Sequence, residues 1–220
     1  MKAIRAKDIT FQYKGQEEPL FSDVSFQLEK GKIAVLTGPS GSGKTTMGLC
    51  FAGVIPHLME GIFEGEVEVE GRVGMVFQDP DLQVFLPMVE DELAFAPENL
   101  CCSGEEIGQR IRETLEQLGI PCLREADPAR LSGGQKQLVA LGGVLTLKPD
   151  LLILDETLSQ LDREARKRVK ELLQTLKAKG ISTILIGHDA DSREIADEVF
   201  VLNEGKLEFC SPKSEVDRFA

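Results

Sequence analysis

The chain has 220 residues, 42% of them apolar and 28% charged, and a formal net charge of -12. That is enough chain to bury one substantial apolar core, with the composition of a globular rather than a disordered protein. So acidic a chain is poorly suited to holding nucleic acid or anionic lipid by general electrostatics and suits a basic protein surface better.

Five cysteines, Cys50, Cys101, Cys102, Cys122 and Cys210, form no C-x-x-C pair and are odd in number. This argues against a disulfide framework or a zinc site and for a reducing cytoplasm. The most apolar stretch, residues 138–154, is cut by Lys148, Pro149 and Asp150, short of the ~20 apolar residues that a membrane span needs. Residues 1–7 carry charges but no apolar signal region. A membrane role would therefore require docking onto another protein.

In chain order, residues 4–11, 24–28 and 32–37 alternate as strands do, a glycine-rich turn follows, and residues 44–52 read as a helix. Short strands are predicted at 66–70 and 73–77. From 89 to 147 the pattern is helical. Ser103 followed by Glu106 predicts a capping box opening a helix over 105–118, which Gly119 and Pro121 end. Residues 151–154 form an unbroken apolar run, as expected of a strand buried on both faces. A charged helix over 163–179 follows, with Leu172, Leu173 and Leu176 on its apolar side and Gly180 past its end. A β-branched strand at 182–186 and a strand pair at 198–202 and 206–209 complete the pattern. Strand and helix alternating on both sides of a helical block predict an α/β fold with a largely parallel sheet and a helical insertion.

Gly38-Pro39-Ser40-Gly41-Ser42-Gly43-Lys44-Thr45 matches G-x-x-x-x-G-K-[ST] between a predicted strand and helix, the context this phosphate loop requires. Its glycines let N–H groups turn inward around phosphate oxygens, and the helix N-terminus, which includes Thr46, favours an anion. Lys44 is expected to reach the β- and γ-phosphates, and the Thr45 hydroxyl to ligate Mg²⁺. The apolar strand at 151–154 ends in Asp155 and Glu156. Asp155 would hold Mg²⁺, a hard cation that prefers oxygen, and Glu156 is placed to act as general base on the attacking water. Leu131-Ser132-Gly133-Gly134-Gln135 begins another helix and offers a second cluster of N–H groups to an anion.

With this last segment the sequence resembles the ABC ATPase family across essentially its whole length. The resemblance implies a P-loop NTPase of the ABC type: a RecA-like, mostly parallel sheet core, an N-terminal antiparallel β part and an inserted α-helical subdomain. The division it implies is a single domain over 1–220, with a nucleotide-binding core of 1–80 and 149–220 and a helical subdomain of 81–148. Tyr13 looks like the adenine-stacking aromatic, Gln78 like the Q-loop glutamine that joins the Mg²⁺ site, residues 159–162 like the D-loop, and His188 like the switch histidine. Each is weak alone; the order of all the motifs is specific. The resemblance also implies a head-to-tail dimer of identical or paralogous subunits. In it, ATP on one phosphate loop is closed over by Ser132, Gly133, Gly134 and Gln135 of the other subunit, and Gln78 and His188 sense the γ-phosphate.

Residues 76–85 and 89–100, with 55–58 and 139–145, look like the ATPase subunits of energy-coupling factor transporters, which import vitamins or transition-metal ions. That family pairs two ATPases with a membrane coupling subunit and a substrate-binding membrane subunit, placing the chain at the cytoplasmic face of the membrane without nucleic-acid partners. Asp79, Asp81, Glu90, Asp91 and Glu92 are expected to form an acidic face for basic coupling helices. An alternative is the ATPase subunit of a different ABC importer or exporter. His57, beside Pro56, reads as structural. Thr157, Leu138 and Gln160 depart from the residues usual after the catalytic glutamate, after the signature and in the D-loop.

Overall fold

The computed structural model describes residues 1–188 and 190–210. In chain order these form β1 (Lys2–Tyr13), β2 (Phe21–Glu29), β3 (Ile33–Thr37), α1 (Lys44–Phe51), β4 (Gly61–Val69), β5 (Val73–Val76), α2 (Val89–Asn99) and α3 (Gly104–Leu118). There follow α4 (Gly133–Thr146), β6 (Leu151–Asp155), α5 (Arg163–Ala178), β7 (Ser182–Ile186), α6 (Ala190–Ile195), β8 (Glu198–Asn203) and β9 (Lys206–Cys210).

The alternating N-terminal segments make an antiparallel sheet of order β2-β1-β4. Its inner face carries Ile4, Ala6, Ile9, Phe11, Val24, Phe26 and Leu28, all buried against Met47, Cys50 and Phe51 of α1. β4 begins at Gly61, five residues before the predicted strand. Its first half reads poorly as strand because it contains two glycines, and one of them is required. Where β1 shifts register between Lys7 and Thr10, Asp8 adopts a left-handed φ of 48°. A Cβ on the facing Gly65 would lie 2.5 Å from the Asp8 carbonyl oxygen, so only glycine fits this bulge.

The second sheet has the order β5-β6-β7-β3-β8-β9. All its pairs are parallel except β8 with β9. β3, β6 and β7 are buried at every position, which is why they read as unbroken apolar runs. Successive residues feed opposite cores: Leu151 and Ile153 pack with α1 and the antiparallel sheet, whereas Leu152 and Leu154 pack with Val139, Leu141 and Leu173 of α4 and α5.

The predicted capping box at α3 forms only its first half. Ser103 accepts the Glu106 N–H at 3.3 Å, but the Glu106 carboxylate turns to Arg110, at 3.0 Å from Nε and 2.6 Å from Nη2. Arg110 is almost wholly buried and also donates to the Thr146 carbonyl. A buried guanidinium needs a counter-charge more than the Ser103 N–H needs an acceptor. A complete capping box forms instead at Ser132 and Gln135.

All five cysteines are free thiols. Burial pushes the Cys50 thiol up to about 12, while Cys101 and Cys122 are exposed. Reactivity follows the thiolate, so iodoacetamide at pH 8 is expected to modify Cys101 and Cys122 and spare Cys50 until denaturant is added. Peptide mass mapping reads this directly, and early labelling of Cys50 would contradict the packing of α1.

Candidate functional site

The phosphate loop leaves β3 at Thr37 and enters α1 at Lys44. Gly38 has φ +147°, and a Cβ there would sit 2.1 Å from the Leu202 main-chain oxygen, so the loop can start only with glycine. α1 has neither a side-chain N-cap nor an acidic residue in its first turn. Its first N–H groups are left for an anionic ligand. The almost buried Lys44 donates to the carbonyls of Gly38 (3.0 Å) and Pro39 (2.8 Å). Burial lowers its pKa, against the opposing charges of Glu156 and Asp155.

Tyr13 stands at one end of the cleft. Its hydroxyl lies 2.7 Å from Thr46 Oγ1, and its ring meets Phe11 edge-on with centroids 4.9 Å apart. Thr46 is therefore engaged with the tyrosine.

Asp155, the last residue of β6, is 1% exposed, and neither carboxylate oxygen has a hydrogen-bond partner. Burial raises its pKa; the Thr45 hydroxyl opposes the rise, Glu156 adds to it, and Lys44 opposes it. Two unpaired oxygens beside a hydroxyl fit a hard cation such as Mg²⁺. Among the described residues no group of three or more His, Cys, Asp or Glu side chains could hold a metal ion. An ion here would complete its shell with phosphate and water oxygens.

Glu156 is held in a left-handed turn at φ 46°, with its N–H bonded to the Ile186 carbonyl at 2.8 Å. Gln78, just past β5, donates its side-chain N–H to Glu156 Oε2 at 2.9 Å. One cleft of roughly 1250 Å³ is lined by Tyr13, Lys44, Thr45, Gln78, Glu156 and His188. Gly38, Pro39, Ser40, Gly41, Gly43 and Thr46 also line it. Ser42 and Asp155 lie beneath this surface, and the Ser42 hydroxyl is buried without a partner. Ser132, Gly133, Gly134 and Gln135 are not among the lining residues. They open α4, with the Gln135 side chain committed to the capping box and Ser132 and Gly133 exposed.

Five residues that line the cleft were not anticipated from sequence: Leu20, Thr37, Arg193, Val201 and Asn203. Leu20 packs against Gly43, where a Cβ would come within 2.9 Å of it. Arg193 lies on α6, and its Nε has no hydrogen-bond partner among the described residues. A cation five residues beyond His188 was a usable signal for it; Leu20 and Asn203 carry none.

The expected acidic face needs correction. Glu92 is buried, and its carboxylate accepts the N–H groups of Phe85 (3.1 Å) and Leu86 (2.9 Å). Met88, the N-cap of α2, has no capping side chain, and the 85–86 turn takes Glu92 as its acceptor. Asp81 pairs with Lys136 at 2.5 Å, Glu90 with Arg124, and Asp79 caps the Asp81 N–H. The exposed feature beside these groups is apolar: Leu82, Phe85, Met88, Phe95 and Leu100, with Phe85 and Phe95 edge-to-face at 5.4 Å.

A family described as ABC transporter matches residues 21–159. The chain is 40% identical over 219 residues to a Methanosarcina mazei protein named as an ABC transporter ATP-binding protein, covering 93% of this chain. It spans only 37% of that relative's length. It is 36% identical to the energy-coupling factor transporter ATP-binding protein EcfA of Methanocaldococcus jannaschii, over 94% of this chain and 78% of that one. Among solved structures, cbiO1 from Clostridium perfringens, part of the ABC transporter complex cbiONQ, superposes with a TM-score of 0.82 at 27% identity. That alignment covers 96% of this chain and 89% of cbiO1.

The unpaired Asp155 carboxylate makes a signed prediction. Its folded pKa is raised above the ordinary 3.8, so the penalty is absent below that value, grows as pH rises towards the folded pKa, and is constant above it. In chelator at pH 7, Asp155→Asn is expected to stabilise the protein by about 1–3 kcal/mol. Differential scanning calorimetry should show a rise of roughly 2–10 °C that shrinks in acid. An unchanged or lower melting temperature would mean that the carboxylate is compensated.

Proposed function

The chain belongs to the ABC transporter family of ATP-binding proteins, and we propose that within it this is the ATP-hydrolysing subunit of an energy-coupling factor type importer of a micronutrient, a vitamin or a transition-metal ion. The observation that carries the reading is how the phosphate-binding groups are divided. The loop, the acidic strand end, Gln78 and His188 line or floor one cleft, while residues 132–135 lie outside it, with Ser132 and Gly133 exposed. A second subunit, identical or paralogous, supplies its own 132–135 segment to close that cleft.

ATP would stack its base on Tyr13 and lay its phosphates along residues 38–46, with Lys44 leaving the Gly38 and Pro39 carbonyls for the β- and γ-phosphates. Mg²⁺, held by Thr45 and Asp155 with Gln78 joining, would neutralise charge on the same phosphate oxygens. Glu156 would take a proton from the attacking water as its oxygen bonds the γ-phosphorus and the bond to the bridging oxygen breaks. His188 would donate to the γ-phosphate. Closure with ATP and opening after hydrolysis follow from contacts that only the γ-phosphate makes.

The transporter class is supported by the likeness to EcfA and cbiO1 and by the exposed apolar patch with the exposed Asp79 and Asp91 beside it, a surface suited to short basic coupling helices. Among the described residues no helix is long and apolar enough to cross a membrane. Docking on a membrane coupling subunit, beside a substrate-binding membrane subunit, would hold the chain at the cytoplasmic face. The division into a core of 1–80 and 149–220 and a helical subdomain of 81–148 belongs to this reading.

Glu156→Gln is expected to lower kcat by about 10²- to 10⁴-fold and to trap an ATP-bound dimer visible by size-exclusion chromatography; unchanged turnover would remove Glu156 as base. A tagged chain recovered gently from its native membranes is expected to bring a coupling membrane protein and a small substrate-binding one. Recovery with conventional transporter permeases would keep the ATPase and overturn the importer class.

A further inference from the structure

The Q segment, residues 77–84 just past β5, pairs with no strand among the described residues and is fastened by side chains. Gln137 of α4 donates to the Phe77 carbonyl at 3.1 Å. Lys136 holds Asp81 at 2.5 Å. Between them, the side-chain amide of Gln160 donates to the main-chain carbonyl of Gln78. Gln160 ends the short 3₁₀ turn Thr157–Gln160 that Glu156 opens. Its own carbonyl faces the start of α4, 3.3 Å from where a Cβ of Gly134 would be. The Gln78 side chain then reaches Glu156 Oε2 at 2.9 Å. A closed circuit results: Glu156 opens the turn, Gln160 ends it, Gln160 grips Gln78, and Gln78 returns to the Glu156 carboxylate.

We propose that Gln160 is a positioning residue for ATP hydrolysis, fixing Gln78 so that its amide holds the Glu156 carboxylate in one orientation with Oε1 turned free for water. This rests on the reading of Glu156 as general base. Gln160 does not line the cleft and reaches the chemistry only through Gln78. One N–H donated to Oε2 selects a single carboxylate orientation, and misplacing a base by a fraction of an ångström slows proton transfer without weakening substrate binding. Gln160 touches neither Tyr13 nor residues 38–46, which would hold the base and phosphates, and its bond to Gln78 is to the main-chain carbonyl, leaving the Gln78 side-chain oxygen free to join Mg²⁺. The effect therefore falls on kcat. Gln160 also sits where the turn after Glu156 meets the start of α4, so a shift of α4 is transmitted to the base within one subunit.

The test is a double-mutant cycle on the full chain with MgATP. Gln160→Ala and Gln160→Glu, which lack the N–H donor, are expected to lower kcat about 3- to 30-fold at unchanged KM. Gln160→Lys, which keeps a donor of similar reach, should stay within about twofold of the parent. In a Gln78→Ala background, Gln160→Ala should cost nothing further. A readout independent of turnover is hydrogen exchange of residues 76–84 without nucleotide, expected to quicken in Gln160→Ala and Gln160→Glu but not in Gln160→Lys. Unchanged kcat, a cost confined to KM, additive losses in the Gln78→Ala background, or unchanged exchange would each overturn the proposal. Should these fail while Glu156→Gln is inactive, Gln160 alone is removed; turnover surviving in Glu156→Gln removes the base and this proposal together.

Discussion

A parallel sheet delivers the C-terminal ends of its strands to one edge, and the groups that line or floor the cleft gather there. β3 runs into the phosphate loop, β5 into Gln78, β6 into Asp155 and Glu156, β7 into His188, and β8 ends at Asn203. The site thus depends on strand order rather than on sequence neighbourhood: Gln78 and Glu156 are 78 residues apart and hydrogen-bonded. Burial of both sheet faces in turn makes that order rigid, because each strand of the centre feeds two cores at once. A slip of one residue in β6 would exchange Leu152 with Ile153 and turn Asp155 away from Thr45.

The same edge concentrates charge that the core does not compensate. Lys44 and Asp155 are almost wholly buried, and burial moves both pKa values in the direction that opposes ionisation. Their mutual attraction is incomplete, since the Lys44 ammonium is bonded to loop carbonyls and Asp155 has only the Thr45 hydroxyl beside it. Stability is given up at the positions where a phosphate and a cation would restore it, which is how a binding site stores affinity.

Much of this was legible in the sequence because the signals are local. A glycine loop between strand and helix, and an apolar run ending in Asp155 and Glu156, need no knowledge of tertiary partners. What escaped depended on such partners. Glu92 reads as one more surface carboxylate, and only the 85–86 turn beneath it reveals an acceptor. Glu106 fits a capping box until the buried Arg110 claims it. Gly61 and Gly65 read as strand breakers, although Gly65 is what allows the β1–β4 bulge. Arg193 lay in plain sight as a cation beyond His188, but its approach to the cleft depends on how α6 returns to β8.

The placement of the helical segment explains why residues 132–135 lie outside the cleft. α4 is anchored at its start to the Q segment through Lys136 and Gln137, and its body is buried in the core shared with α5. Ser132 and Gly133 therefore cannot fold back over their own phosphate loop without breaking those anchors. They face outward with the helix N-terminus already capped by Ser132 and Gln135, an arrangement that fixes the direction of the exposed N–H groups before any ligand arrives. Pre-orientation of this kind lowers the ordering cost of docking onto a second nucleotide-bearing surface. The anchors that bar closure within one subunit also connect docking at that face to Gln78, and through it to Glu156.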